Sequence, residues 1–148
     1  MSASPSPYAS TAQKYREQEI QSASREQILI MLYEAAIKFC LSAKLFMAKK
    51  DIEGLHNELL KAQRIIVEFM TSLDTDANPQ VANSLYNLYE YLHYRLVQAN
   101  IKQDAAMVDE VVGHLRQLKT TWEQAIASVQ KEARGFSGSS SIRVTASV

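Results

Sequence analysis

Glycine, proline and cysteine are scarce in this chain: of 148 residues, four are glycine, three are proline and one, Cys40, is cysteine. So few helix breakers suit a mostly helical globular protein. A lone cysteine excludes an internal disulfide and fits a reducing, intracellular setting. An excess of either charge is missing too, since Lys plus Arg and Asp plus Glu both number 16. A nucleic-acid binder advertises a basic excess, so no nucleic-acid partner is expected. No apolar run approaches the ~18–20 residues that span a bilayer, and no membrane insertion is expected. The opening "MSASPSPYASTAQKY" lacks a basic start followed by an apolar block, so it does not read as a signal peptide. The expectation is a cytosolic, soluble protein of one domain.

What is present is apolar spacing of helical period. Ser24 and Gln27 have capping-box spacing ahead of an apolar run. The helix they open reaches about Lys49, with a stripe of Ile28, Met31, Leu32, Ala35, Phe39, Ala43 and Phe46. Asp51 is placed to cap a second helix carrying Ile52, Leu55, Leu59, Ala62, Ile66, Phe69 and Leu73 on one face. Gly54 weakens its first turn by roughly 1 kcal/mol relative to alanine. Asn78 and Pro79 start a third helix, with Val81, Leu85, Leu88, Leu92, Leu96 and Ala99 on its core face. Asp104 caps a fourth, whose stripe is Val108, Val111, Leu115, Leu118, Trp122, Ile126 and Val129. Amphipathic helices joined by short loops predict an all-α, antiparallel up-down four-helix bundle over residues 24–134. Residues 1–23 read as a flexible arm with a short helical turn at 13–21 anchored by Tyr15 and Ile20. Residues 135–148, rich in glycine and serine, read as a disordered tail.

Chemistry is hard to find. Glu53-Gly-Leu-His56 and Glu90-Tyr-Leu-His93 have the Glu-x-x-His spacing of a di-metal bundle site. At ~100° per residue, however, Glu53 and Glu90 fall well away from their core stripes, so both pairs read as surface charges with flanking rings. Cys40 has no base nearby in sequence and reads as a small hydrophobe. No glycine-rich loop could cradle phosphate. No enzyme, metal or cofactor is expected.

Apolar surface, in contrast, is in excess. With Ile28 at 0°, Ile30, Ile37 and Leu41 fall at roughly 180–220° on the first helix, forming a second stripe. A helix apolar on two sides must be covered on both. The third helix packs four of the chain's seven tyrosines into "NSLYNLYEYLHYRL". Tyr86, His93, Val97 and Asn100 lie beside its core face, while Tyr91 and Tyr94 point elsewhere. Tyrosine joins an apolar body to a polar tip, so these rings suit either the rim of a core or an interface. The second stripe on the first helix tips the balance toward an interface. A self-associating structural bundle is the competing reading.

The stretches "SASREQILIMLYEAAIKF", "LDTDANPQVANSLYNLYEYLHYRLVQANIKQD" and "LRQLKTTWEQAI" resemble the FliS family of flagellar export chaperones, in order and in loop length, from about Tyr15 to Ile126. The resemblance implies a cytosolic chaperone for flagellin. It would bind flagellin's disordered C-terminal segment, block premature polymerisation and present the subunit to the export apparatus. The client would wrap the outside of the bundle in apolar grooves, and the client-free protein would be a monomer or weak homodimer. Carried over by position, Tyr15 and Ile20 resemble the family's mobile arm. Tyr86, Tyr89, His93, Val97, Asn100 and Ile101 fall within its "LYxLYxY…AN" signature. His93 departs from the aliphatic or methionine residue more usual there.

Overall fold

The computed structural model describes residues 7–135, with side chains described for 11–18 and 23–135. Its elements are α1 (Pro7–Ser22), α2 (Arg25–Ala48), α3 (Ile52–Thr71), α4 (Pro79–Lys102) and α5 (Ala105–Gly135). The last four pack in a ring, α2 on α3, α3 on α4, α4 on α5 and α5 back on α2. That is the antiparallel up-down four-helix bundle expected from the pattern.

Each bundle helix starts where a side chain satisfies an otherwise orphaned N–H. The Gln27 N–H donates to Ser24 Oγ at 3.2 Å while the Ser24 N–H donates to Gln27 Oε1 at 3.0 Å, a reciprocal box. Asp51 Oδ1 accepts from the Gly54 N–H at 2.9 Å, and Asn78 Oδ1 from the Val81 N–H at 3.2 Å. Asp104 Oδ1 accepts from the Ala106 N–H at 2.9 Å. Two connections need a left-handed residue: Lys50 (φ 58°) between α2 and α3, and Gln103 (φ 51°) after α4. At the latter, the Asp104 N–H reaches back to the Ala99 carbonyl at 3.2 Å and closes the helix end.

α3 buries Leu55, Leu59, Ala62, Ile66 and Phe69, as its pattern required. α4 buries Ala82, Tyr89, Leu92, Leu96 and Ala99, and α5 buries Val108, Val111, Val112 and Leu115. The end positions Ile52 and Val81 are exposed instead, because each lies in the first turn of its helix, at the rim of the bundle.

α2 departs most from expectation. Its buried residues are Tyr33, Ala36, Cys40 and Ala43; of these only Ala43 was in the expected stripe, and the face centres about 100° round from Ile28 and Phe39. The cause is that α2 is apolar in three directions, so its periodicity has no single heading. Small Ala and Cys side chains face inward, where large residues of α3 and α4 fill the space. The expected stripe lies on the α3 flank: Lys61 Nζ sits 5.3 Å from the Phe39 ring centroid. Phe46 lies across Gly54, where a Cβ would come within 2.7 Å of its Cγ and Cε1. Gly54 is therefore room for a ring as well as a weak helix former.

One end of the core is an aromatic layer. Phe69 stacks on Tyr33 (centroids 4.4 Å apart) and tilts against Tyr89 (5.3 Å). The two tyrosine hydroxyls are hydrogen-bonded, and Trp122 Nε1–H donates to Tyr33 Oη at 3.1 Å. Buried hydroxyls are costly without partners, and here they partner one another. Burial, above all, raises the pKa of both phenols, so they stay neutral. Burial likewise pushes the Cys40 thiol up to about 12, which leaves it an inert hydrophobe.

The arm differs from a short turn. α1 is helical from Pro7 to Ser22, and its residues 11–18 are exposed. Of the expected tail, only Gly135 lies within the described residues, as the last residue of α5.

Candidate functional site

The second stripe of α2 finds its setting on the seam with α5. Ile30, Ile37 and Leu41 line a pair of adjoining open depressions there. The larger, about 700 Å³, has Ile37, Leu41 and Leu45 as its apolar surface and Lys38, Arg116 and Lys119 at its edge. The smaller, about 510 Å³, lies nearer Ser24, with Ile30, Met31 and Ile126 apolar and Glu26 and Glu123 polar. The stripe thus flanks the core on the α5 side, where the sequence reading set it opposite. Leu41 is 37% exposed and Leu45 66% exposed, so the apolar side chains of this depression are partly open to water. Between the depressions, Lys119 Nζ lies 3.7 Å from Glu34 and 3.5 Å from Glu123.

A second group lies on the opposite edge of the ring, beside α3. Asn100 Nδ2 is 2.8 Å from His56 Nδ1, which fixes this side of α4 against α3. His93 and Val97 are half-buried along the same side, Tyr86 is exposed, and Ile101 at the end of α4 is 76% exposed. Tyr89 does not belong with them. It is 2% exposed, its hydroxyl held by Tyr33, so a partner on the outside cannot reach the ring; it is a core residue.

Tyr91 and Tyr94 take a third role. Glu110 on α5 accepts from the Tyr91 hydroxyl, and from Arg95 Nε at 3.0 Å and Arg95 Nη2 at 2.8 Å. Arg95 also donates to Gln98 Oε1 at 3.1 Å, and Gln98 Nε2 to Tyr94 Oη at 3.1 Å. The Tyr91 ring meets His114 edge-on. Tyr91 first, then Arg95, holds the Glu110 carboxyl below its ordinary pKa, and the same bond raises that of Tyr91. This lattice closes the α4/α5 seam.

Tyr15 is 71% exposed on α1, while the Ile20 side chain lies outside the described residues. Glu53, His56 and Glu90 are exposed. Among the described residues, no three His, Cys, Asp or Glu side chains converge as metal ligands, and no helix is long and apolar enough to cross a membrane. The arrangement offers broad, shallow apolar ground with charged margins. Such ground suits an extended or helical polypeptide better than a small molecule.

Residues 8–129 match the model of the family described as Flagellar protein FliS. The chain belongs to the FliS family. It is 35% identical over 124 residues to the flagellar secretion chaperone FliS of Bacillus subtilis, spanning 84% of this chain and 92% of that one. To the Salmonella typhimurium protein of the same name it is 34% identical over 114 residues, 76% of this chain and 84% of the other. A solved structure titled as a flagellar chaperone from bacteria superposes with a TM-score of 0.67 at 20% identity, covering 82% of this chain and 99% of its own, and so shares the fold. FliS proteins are flagellar secretion chaperones and carry out no catalysis. The FliS resemblance found in the motifs is thereby established.

Most of the groove's lining was not anticipated, Leu45, Lys38, Arg116 and Lys119 included. Leu45 follows Leu41 by one helical turn and could have been found by extending the second stripe. Lys38, Arg116 and Lys119 had no such signal, because only the pairing of α2 with α5 brings their charges to one edge.

Proposed function

We propose that this FliS protein is a cytosolic export chaperone for flagellin. It holds the C-terminal segment of flagellin, prevents premature polymerisation and presents the subunit to the flagellar type III export apparatus. The observation that carries this reading is the placement of apolar surface on opposite edges of the bundle. Ile30, Ile37, Leu41 and Leu45 lie on the α2/α5 side, and Tyr86, Val97 and Ile101 on the α3/α4 side. A client that wraps the bundle touches both; a small ligand or a single globular partner has no reason to.

A disordered client loses chain entropy when it docks, so affinity comes from apolar contact spread over a large area. Shallow grooves supply that contact without a deep pocket. The arm, residues 1–23 with Tyr15 and Ile20, acts at the entrance as a lid over the apolar ground or as a clamp on the client. Deleting residues 1–22 raises client affinity in the first case and lowers it in the second; an unchanged Kd removes both roles.

The test is calorimetric titration with a peptide of roughly the last forty residues of the cognate flagellin. One-to-one binding with a large negative heat-capacity change marks apolar burial coupled to folding. Light scattering should find the free chain as a monomer or weak dimer, with any dimer dissociating as peptide is added. Absence of binding at micromolar concentrations sinks the proposal.

A further inference from the structure

We propose that the middle of the α2/α5 groove is a carboxylate site, in which Lys38 and Arg116 receive an acidic side chain carried beside the apolar stripe of the client segment. This deepens the chaperone reading and rests on it.

Two ion pairs cross the seam and set its register. Lys44 Nζ lies 2.5 Å from Asp109 near the Leu45 end, and Lys119 Nζ lies 3.7 Å from Glu34 further toward Ser24. The helices are antiparallel, so two turns back from Lys44 on α2 is level with two turns on from Asp109 on α5, at about 3.6 residues per turn. Those positions are Ile37 and Arg116, and Lys38 follows Ile37 in the chain. Lys38 and Arg116 both line the larger depression, and both are exposed. At this level the seam sets a base from α2 beside a base from α5, whereas the levels on either side set base against acid.

Neither base is neutralised. Among the described residues, no carboxylate forms an ion pair with Lys38 or Arg116. Glu34, one turn before Lys38, is spaced to pair with it. It is turned instead to Lys119, which also meets Glu123 at 3.5 Å. Like charges on facing helices repel, and a carboxylate entering between them turns that repulsion into two attractions. The guanidinium offers a planar fork matched to a carboxylate, and the ammonium adds a point charge on a flexible stem. The neighbouring floor decides what carries the carboxylate. A free anion would leave Ile37 and Leu41 uncovered; an acidic residue flanking the apolar stripe of a helix meets floor and bases at once.

A central charge does not distinguish the two directions of a guest, but it stops the guest from sliding. An apolar floor alone admits shifts of a turn, and one placed charge rejects them. Both bases are exposed, so the selection weakens with salt.

The test uses the full chain and synthetic helical peptides of about fifteen residues. Each has one leucine stripe and, beside its midpoint, a single glutamate, glutamine or lysine. Amide shifts on binding should centre on residues 37–41 and 116–120. The glutamate peptide should bind about fivefold more tightly than the glutamine peptide at about 0.05 M salt, the advantage fading near 1 M. That advantage should vanish in K38Q with R116Q and persist in R64Q with K102Q, which removes as much charge away from the groove. K38E with R116E should prefer the lysine peptide. Equal affinities for glutamate and glutamine, an advantage that survives K38Q with R116Q, or no binding in this groove overturns the proposal. The flagellin titration separates the two readings. If flagellin peptide binds while glutamate and glutamine peptides are equivalent, only the carboxylate site falls. If the glutamate preference holds while flagellin peptide does not bind, the chaperone reading falls and the site stands for another acidic segment.

Discussion

The seam between α4 and α5 and the seam between α2 and α5 share a helix, yet they are finished in opposite ways. On the α4 side, Tyr91, Arg95, Gln98 and Tyr94 form a chain of hydrogen bonds ending on Glu110. On the α2 side, Leu41 and Leu45 remain open to water although ion pairs of Lys44 with Asp109 and Lys119 with Glu34 cross the same seam. Surface polar contacts of the first kind add modest stability but hold two helices in register. Bare leucine contributes nothing to the folded chain until something covers it. One seam is closed by the bundle itself; the other is the one on which the proposed client would lie. The tyrosine-rich stretch of α4 is resolved by the same contrast, since Tyr89 is core, Tyr91 and Tyr94 are lattice, and Tyr86 is exposed near the α3 edge.

Mutations can break this contrast, beginning with the aromatic layer that underlies both seams. Tyr89→Ala should cost about 3–5 kcal/mol, as other large aromatic core truncations do, measured by urea unfolding, and should depress binding indirectly. A small effect would mean that the ring is not core. Next in size, Leu41→Asp should lower affinity for the flagellin peptide at least tenfold while leaving stability within about 0.5 kcal/mol of the parent. Equal loss of stability would show that the open seam is structural after all.

Glu110→Gln should do the reverse, leaving peptide affinity unchanged and removing a pH dependence. Its carboxyl is held below the ordinary 4.5 when folded. The unfolded chain therefore takes up the proton first as pH falls. The stability due to this group is complete above about 4.5 and is lost as pH drops from there through the depressed value. Thermal unfolding between pH 6 and pH 3 should thus show a shallower acid limb in the variant; identical limbs would mean that the lattice is ornamental. The smallest effect belongs to the α2/α3 seam. Gly54→Ala should be slightly destabilising because the new methyl displaces Phe46, but stabilising by up to about 1 kcal/mol in a Phe46→Ala background. The same sign in both backgrounds would show that the ring moves aside freely.

α3, α4 and α5 were readable because each concentrates its apolar residues on one face, and their caps were readable because Asp51, Asn78 and Asp104 sit next to clear helix starts. α2 was not. With Ile28, Phe39 and Phe46 on one flank, Ile30, Ile37 and Leu41 on the other and Ala36, Cys40 and Ala43 between them, its residue sizes pointed away from its inward face. The same ambiguity that misplaced the core face revealed the surplus surface, since a helix apolar on three sides has one side too many for a four-helix ring. Tyr89 was drawn into the candidate site by the family signature, which marks positions kept for the fold as well as for the partner. The charges around the groove belong to tertiary pairing and leave no trace in local periodicity.

Trp122 is the chain's single tryptophan, and its indole N–H is tethered to Tyr33 across the seam between α5 and α2. Nature has in effect placed one fluorophore at the joint that a guest would press upon. If α2 and α5 part or tighten when the groove fills, the indole changes its hydrogen bond and its contact with solvent, and its emission wavelength shifts with it. Occupancy of this chaperone is then visible in the unlabelled protein, against any client lacking tryptophan, at concentrations far below those that calorimetry needs.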